Sequence, residues 1–107
     1  MQSLIYFVLI GTMRIKIVYL GLVRNKIGKN EEQYEVSEGS SLDGLLKILV
    51  KKYGDKLQSI VGERKESRLD PTFITTVNGV LKDPFQENSA TLKDGDIVTV
   101  MTLISGG

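Results

Sequence analysis

The residues with the clearest potential for chemistry are the last two of the chain, Gly106 and Gly107. Because glycine has no Cβ, a Gly-Gly segment can lie extended in a channel too narrow for side chains. It also holds the carboxylate of Gly107 at the tip of a short arm, clear of the fold. A Gly-Gly end alone is weak evidence, since chain ends are commonly disordered. Here it closely follows a predicted strand that a turn precedes, and this combination is far more specific than a frayed chain end.

The strand that positions this arm is predicted at residues 97–103. Asp94-Gly95-Asp96 before it is typical of a turn, because glycine adopts positive φ without strain. The strand is rich in β-branched and apolar residues on both faces, which favours a central place in a sheet. The two glycines are therefore expected to follow the middle of a sheet rather than a loose edge.

Alternation along this strand separates its side chains into two sets. Val98 and Val100 are expected to face a helix, with Met101 and Leu103 on the opposite side. Flexible methionine and aliphatic side chains suit a surface that meets more than one partner. For Met101 the alternative that it fills the core remains open. We predict a partner-binding surface just before the two glycines, made of Met101, Leu103, Ile104 and Ser105.

The composition excludes several classes of chemistry. The 107 residues include no cysteine and no histidine. This removes disulfides, thiol nucleophiles, iron–sulfur ligation and most zinc and copper sites, together with the commonest acid–base side chain at neutral pH. The 14 basic and 13 acidic residues are interspersed, so nucleic-acid binding has no electrostatic support. We expect no metal and no stably bound cofactor.

Near the start of the chain, Leu4–Ile10 is an apolar run too short to span a membrane. No basic residue precedes it, so it does not resemble a signal peptide. It is either an upstream extension before Met13 or an additional strand turned back by Gly11-Thr12. The first interpretation is favoured. We expect a cytoplasmic protein with an extension at 1–12, one domain at 13–103 and a flexible tail at 104–107.

The first half of that domain is predicted to contain two strands and a helix. Residues 14–20 alternate as a strand, and residues 33–37 form a second, separated by a polar connection at residues 21–30. A helix is then predicted, with Ser40 as its N-cap and Gly54 as the glycine that ends it. Its core stripe is expected to contain Leu42, Leu45, Leu46, Leu49 and Tyr53, with Lys51 and Lys52 in solvent in its last turn.

The second half is predicted to begin with a charged, irregular segment at residues 55–70. A strand follows at residues 72–77, and Asn78-Gly79 is a strong signal for a two-residue hairpin leading into residues 80–82. One helix must then cover one face of a mixed sheet, with the first and last strands parallel at its centre. This order predicts an α+β β-grasp (ubiquitin-like) fold with four to five strands and one main helix.

From residue 13 to residue 107 the chain resembles the ubiquitin-like sulfur carriers of the MoaD and ThiS group. Four segments carry the resemblance: MRIKIVYLGLVRNKIG, SLDGLLKILVKKYG, TVNG and LKDGDIVTVMTLISGG. The first strand, the segment after it and the overall length are more similar to MoaD. MoaD proteins commonly carry two prolines where this chain has Thr102-Leu103, and MTLISGG is as similar to ThiS.

The resemblance implies a carrier protein rather than an enzyme. An E1-like adenylating enzyme of the MoeB or ThiF type would use ATP to adenylate Gly107, and sulfur would then replace AMP to give a thiocarboxylate. The acceptor would be a protein such as the large subunit of molybdopterin synthase, with this chain as the small subunit in molybdenum cofactor biosynthesis. A chain without cysteine or histidine can do this because the partner supplies the catalytic groups.

Several alternatives stay open. The chain could be a ubiquitin-like modifier joined through Gly107 to lysines of target proteins, or a ThiS-like carrier for thiamine biosynthesis. A third alternative, from another class, is a non-catalytic β-grasp interaction domain with an incidental Gly-Gly. An electron carrier of the same fold is disfavoured because no cysteine is present to hold a cluster.

Residues 1–12 are predicted to be dispensable for folding, because the fold pattern is complete from Met13. A version beginning at Met13 should keep the thermal unfolding midpoint of the full-length protein. A large loss of stability in the shorter chain would instead place Leu4–Ile10 in the core.

Overall fold

A computed structural model describes residues 11–61, 73–83 and 91–102, except for the side chains of residues 58–61. These residues form five strands and two helices. In chain order they are β1 (Thr12–Tyr19), α1 (Gly21–Ile27), β2 (Glu31–Ser37), α2 (Leu42–Val61), β3 (Phe73–Val77), β4 (Val80–Lys82) and β5 (Ile97–Thr102). The first strand begins at Thr12, two residues earlier than predicted. The apolar run at residues 4–10, predicted to be an extension or an additional strand, lies outside the described residues.

The five strands form one mixed sheet in the order β2-β1-β5-β3-β4. The central pair, β1 and β5, is parallel, with Lys16 opposite Ile97 and Tyr19 opposite Val100. The other three pairings are antiparallel. The predicted parallel pairing of the first and last strands at the centre of the sheet is confirmed, as is the β-grasp architecture.

One face of this sheet carries the core. Alternation along β1 buries Met13, Ile15, Ile17 and Tyr19 on the side of the helices. The predicted stripe of α2 meets them and is confirmed. Its buried members, which also include two residues not in the predicted set, are Leu42, Leu45, Leu46, Leu49, Val50, Tyr53 and Leu57.

The prediction of a polar connection at residues 21–30 is wrong, because residues 21–27 form the helix α1. Val23 and Ile27 are four residues apart, lie on one side of this helix and are both buried. Gly28 ends it in the left-handed conformation, at φ 84°, and its N–H donates to the carbonyl of Arg24 at 2.8 Å. Two buried apolar residues and a terminal glycine are sufficient to form this short helix because β5 and α2 pack against it.

Both predicted ends of the main helix are wrong. Ser41, not Ser40, is the capping residue, since its Oγ accepts the N–H of Gly44 at 3.1 Å while the Ser40 hydroxyl donates to the carbonyl of Ser37. The helix continues through Gly54, which is buried, to Val61. Glycine inside a helix costs about 1 kcal/mol, and burial of Leu57 one turn further on offsets that cost. The predicted irregular segment is therefore helical up to residue 61, and residues 62–72 lie outside the described residues.

The two predicted turns are confirmed and are joined to each other. Asn78 and Gly79 have φ of 52° and 84°, as the hairpin requires, and Gly95 has φ of 87°. The Asn78 side chain accepts the N–H of Ile97 and donates to Asp96, both at 2.9 Å. These bonds fix the β3–β4 turn against the first residue of β5.

On the helix side of the sheet, the carboxylate of Glu32 joins three elements. It lies opposite Ile17 in the β1–β2 register and therefore faces the helices. Its Oε1 accepts the hydroxyls of Tyr19 from β1 and Tyr53 from α2, each at 2.7 Å. Its Oε2 accepts the ammonium groups of Lys29 and Lys52 at 3.0 and 3.2 Å. Only 11% of the Glu32 side chain remains exposed.

Aromatic contacts complete this Glu32 cluster. The rings of Tyr19 and Tyr53 meet edge to face, with centroids 6.2 Å apart. The ammonium group of Lys52 lies 5.3 Å from the centroid of Tyr34 and 5.2 Å from that of Tyr53, within the range of cation–π attraction. The predicted exposure of Lys52 is confirmed, but its predicted place in the last helical turn is wrong, because α2 continues to Val61. The exposed ammonium group crosses to Glu32 of β2.

The cluster holds Glu32 ionised. Burial raises the pKa of Glu32, but hydrogen bonds from Tyr19, Tyr53, Lys29 and Lys52 outweigh it and lower the pKa to about 2. Burial, followed by the hydrogen bond to Glu32, raises the pKa of the Tyr19 hydroxyl. Both shifts favour the same arrangement, in which a charged carboxylate accepts from neutral phenols.

Acid should therefore weaken the fold through Glu32. Its folded pKa of about 2 is below the ordinary value of about 4.3, so its stabilisation is present above pH 5 and is lost as pH falls towards 2. This shift corresponds to roughly 3 kcal/mol of unfolding free energy that is lost on acidification, and we expect that loss to be absent in Glu32→Gln. Denaturant unfolding at a series of pH values measures it. Glu35→Gln, which changes an exposed glutamate on the same strand, is the matched control, and an equal effect in both variants would contradict the assignment.

Candidate functional site

The candidate site is the end of β5, where the chain continues towards the predicted tail. Thr102, the last described residue, pairs with Phe73 of β3, and Met101 pairs with Ile74. Of the predicted site residues only Met101 is described. The other predicted site residues, Leu103, Ile104, Ser105, Gly106 and Gly107, lie outside the described residues.

Met101 lies on the face of the sheet that neither described helix covers, which we call the helix-free face, and it is half-buried. Val98 and Val100, which point to the other face, are fully buried against the helices. The predicted facing of these three residues is confirmed. A half-buried methionine on this face contributes little to the core and leaves part of its thioether side chain accessible to another molecule.

The other side of the β5 end is bordered by α1. The N–H of Leu20, at the start of this helix, donates to the carbonyl of Val100 at 3.1 Å, and the helix packs against β5. The end of β5 therefore lies between β3 and α1. Sequence reasoning missed α1 as a neighbour of the site; the four-residue spacing of Val23 and Ile27 before Gly28 was the available signal.

The helix-free face beside Met101 is largely apolar. The strand register places Leu81, Thr76, Thr99 and Val18 in one row across four strands. Leu81 is 69% exposed and Val18 and Thr99 are half-buried. This row lies directly beside the Ile74–Met101 pair and forms with it a continuous surface of aliphatic and threonine side chains without a charge.

A shallow groove of about 530 Å³ lies on the same face, at the opposite end of β1. It contains none of the predicted site residues, and its charged side chains are of both signs: Arg14, Lys16, Glu35 and Asp94. Asp94 already has a structural role in the fold, because its Oδ1 accepts the backbone N–H of Arg14 at 2.8 Å.

Among the described residues, no three His, Cys, Asp or Glu side chains come together in a way that could hold a metal ion. The described side chains at the end of β5 are those of Phe73, Ile74, Met101, Thr102 and Leu20, which are apolar or carry one hydroxyl. This end of the sheet can present a segment of chain and an apolar contact surface. Neither helix in the described part of the chain has both the length and the apolar character needed to cross a bilayer.

Solved structures with the same fold include small archaeal modifier protein 1 (SAMP1) from Haloferax volcanii, at 17% identity and a TM-score of 0.69, covering 88% of this chain and 99% of that one. Urm1 from Trypanosoma brucei aligns at 21% identity and a TM-score of 0.62, covering 91% and 98%. The complex of subunits 1 and 2 of molybdopterin-converting factor from Helicobacter pylori 26695 aligns at 21% identity and 0.52, covering 89% and 100%. At these identities the likeness establishes the fold.

No curated protein sequence matches the chain significantly. The ThiS family model matches residues 17–107, which includes β1 from Ile17, both helices, the other strands and the two final glycines. The chain therefore belongs to the ThiS family.

Proposed function

We propose that this chain is a MoaD-like sulfur carrier that donates sulfur in molybdopterin biosynthesis from a thiocarboxylate at Gly107. The observation that carries the proposal is the position of β5. It is a central strand held on both sides by β1 and β3, and Gly107 is the fifth residue after its last described residue. A rigid strand followed by a short segment ending in Gly-Gly suits delivery of a chain end to another protein.

The chemistry begins with activation of the carboxylate, which is a poor electrophile because of its charge and resonance. A carboxylate oxygen of Gly107 attacks the α-phosphorus of ATP, and pyrophosphate leaves. The terminal sulfur of a persulfide then attacks the acyl carbon and AMP leaves. A thiol reduces the resulting disulfide and frees the thiocarboxylate. Each of these steps takes place on a partner, an E1-like adenylating enzyme of the MoeB or ThiF type, which also binds the ATP.

The length of the segment after β5 sets how far it can reach. Five extended residues span at most about 18 Å. That is enough for the Gly107 carboxylate to enter a partner's active site while the sheet stays on the partner's surface. Gly106 fits the narrowest part of such a channel because it adds no side chain.

The helix-free face is the proposed docking surface for the adenylating enzyme and for the sulfur acceptor. Met101 and the row from Leu81 to Val18 are accessible, uncharged and beside the exit of the chain. One of the solved structures with this fold is a complex of two subunits of molybdopterin-converting factor. By analogy, a large synthase subunit is the proposed sulfur acceptor for this chain.

A protein modifier is the second candidate function. The fold matches SAMP1 at a TM-score of 0.69 against 0.52 for the molybdopterin-converting factor complex, and the SAMP1 structure is described as that of a modifier protein. In that role the Gly107 adenylate would react with a lysine of a target instead of with sulfur. A ThiS-like carrier for thiamine biosynthesis uses the same first steps.

Mass spectrometry of the protein from its own cells separates these functions. Replacement of one oxygen by sulfur at Gly107 supports a carrier. Lysines of other proteins that carry, after tryptic digestion, a branch of residues 94–107 joined through Gly107 support a modifier. Absence of both would leave a non-catalytic interaction domain. Loss of molybdenum cofactor on deletion of the gene, with thiamine synthesis intact, would assign the carrier to molybdopterin.

Met101→Ala should weaken binding to the adenylating enzyme with little change in stability, because Met101 is half-buried on the proposed docking face. Val100→Ala is the matched control on the next residue. That side chain is buried in the core, and its truncation should cost roughly 1–3 kcal/mol of unfolding free energy. Thermal unfolding and isothermal titration measure the two properties. Unfolding of the Met101 variant would show that the residue serves the core.

A chain that ends at Gly106 should fold and bind its adenylating enzyme but form no acyl-adenylate. Removing Gly107 moves the carboxylate back by about 3.3–3.6 Å, and a misplacement of about 1 Å can already cost roughly 100-fold in rate. ATP–pyrophosphate exchange with the cognate enzyme measures adenylation, and circular dichroism checks the fold. Exchange at the normal rate by the shortened chain would exclude Gly107 as the reactive residue.

A further inference from the structure

The structure separates charges that are mixed along the sequence. The helix layer, defined as residues 20–30 and 42–61 together with Glu32, holds seven basic and three acidic side chains, a net charge of +4. The other described residues hold four basic and six acidic side chains, a net charge of −2. A chain with a net charge of only +1 therefore has a positive face on the side away from the proposed docking surface.

Within the helix layer, four lysines lie on the side of α2 that also exposes Ile48, and two of them are its neighbours along the helix. On the outer side of α2, Lys51 lies one turn from Lys47 and from Ile48, and Lys52 lies one turn from Ile48, so these pairs of side chains are neighbours. Lys29 joins them from the segment before β2 through its bond to Glu32. Ile48 is 43% exposed, although the buried stripe of the same helix runs along its other side. We call these five residues the lysine surface.

Two of the four ammonium groups are held in place. Lys29 and Lys52 bond to the same oxygen of Glu32 at 3.0 and 3.2 Å, so their nitrogens lie within about 6 Å of each other. Each ammonium group has three donors and uses one on Glu32, leaving others for a second acceptor. Lys52 is held further by the rings of Tyr34 and Tyr53. Fixing these long side chains before binding reduces the entropy that a partner's binding would cost.

The remaining charges of this surface leave it positive. Lys47 is paired with Asp43 at 3.2 Å, and Asp55 lies one turn beyond Lys51. The Lys29–Lys52 pair around Glu32 keeps one excess positive charge, and Lys51, the residue before Lys52 on α2, is exposed and adds another. The result is an apolar side chain bordered by cations, which is the arrangement of an interface with an apolar centre and a charged rim.

We propose that the lysine surface is a second docking site, which binds an acidic amphipathic segment of a partner protein. Carboxylates of that segment would pair with Lys29, Lys51 and Lys52, and one of its apolar side chains would cover Ile48. The described part of this surface has no exposed aromatic ring or arginine on which a base could stack, so a protein partner is favoured over RNA. Because it is on the opposite side from Met101, it stays open while the helix-free face is occupied.

A peptide titration of the full-length protein tests the proposal. The probe is a synthetic amphipathic helix of glutamate and leucine, and its counterpart with lysine in place of glutamate is the control peptide. Amide chemical shifts in NMR spectra should change along α2 at residues 47–52 with the acidic peptide alone. Lys51→Glu should weaken binding about tenfold and Ile48→Ala about fivefold. Lys93→Glu, the same charge change in a turn on the sheet side, should leave the affinity within a factor of about two.

An oligouridine RNA serves as the competing probe. The proposal is overturned if the RNA binds and the acidic peptide does not. It is also overturned if Lys51→Glu weakens RNA binding while Ile48→Ala changes the affinity for neither the RNA nor the peptide, because the surface would then recognise phosphates. Equal losses for Lys51→Glu and Lys93→Glu would show an effect of overall charge and would also overturn it. Absence of shifts along α2 at millimolar acidic peptide would have the same consequence. None of these outcomes depends on Gly107, so the proposed carrier function is tested separately.

Discussion

The parallel pairing of β1 with β5 is the contact on which the rest of the molecule depends. It joins residues 16–19 to residues 97–100, so nearly the whole chain must be placed before this pair can form. A parallel pair cannot be closed by a hairpin and requires a long crossover, which here contains α2 and covers one face of the sheet. The same pairing holds the last described strand between two neighbours. A chain end that follows such a strand starts from a fixed position, which a frayed edge strand would not provide.

The Glu32 cluster links the sheet to the helix layer. Its carboxylate accepts bonds from β1, from α2 and from the segment before β2, so one side chain joins parts of the chain that are distant in sequence. A buried carboxylate without partners would cost several kcal/mol, which makes the full set of donors necessary. The cluster also has an electrostatic consequence. Because two lysines, Lys29 and Lys52, surround the one negative charge of Glu32, one positive charge is in excess at the outer surface. This excess contributes to the charge difference between the two faces of the molecule.

Much of the fold was predictable because local signals and the global pattern agree. Asn78-Gly79 and Asp94-Gly95-Asp96 are turns whose backbone conformations few other residues adopt easily, and alternation in β1 and β5 gave the correct buried faces. Two of the failures, the end of α2 and the missed helix α1, share one cause, which is tertiary contact overriding a local rule. Gly54 is a strong terminator in isolation but lies inside α2 because Leu57 is buried beyond it. At the site, the strand and the facing of Met101 followed from alternation, while α1 did not, since a helix of seven residues depends on what it packs against.

The arrangement of the two faces follows from the β-grasp architecture itself. Both described helices lie on one side of the sheet, so no described helix covers the other side, and its described side chains beside the end of β5 are uncharged. An uncharged face can meet different partners in turn without the desolvation of fixed ion pairs, which would suit the proposed carrier as it leaves one protein and binds the next. Charged contacts give orientation and faster association but depend on complementary charges. Placing the lysines on the helix layer keeps those two kinds of recognition apart, because a contact at the lysine surface does not cover Met101 or the path of the chain beyond Thr102.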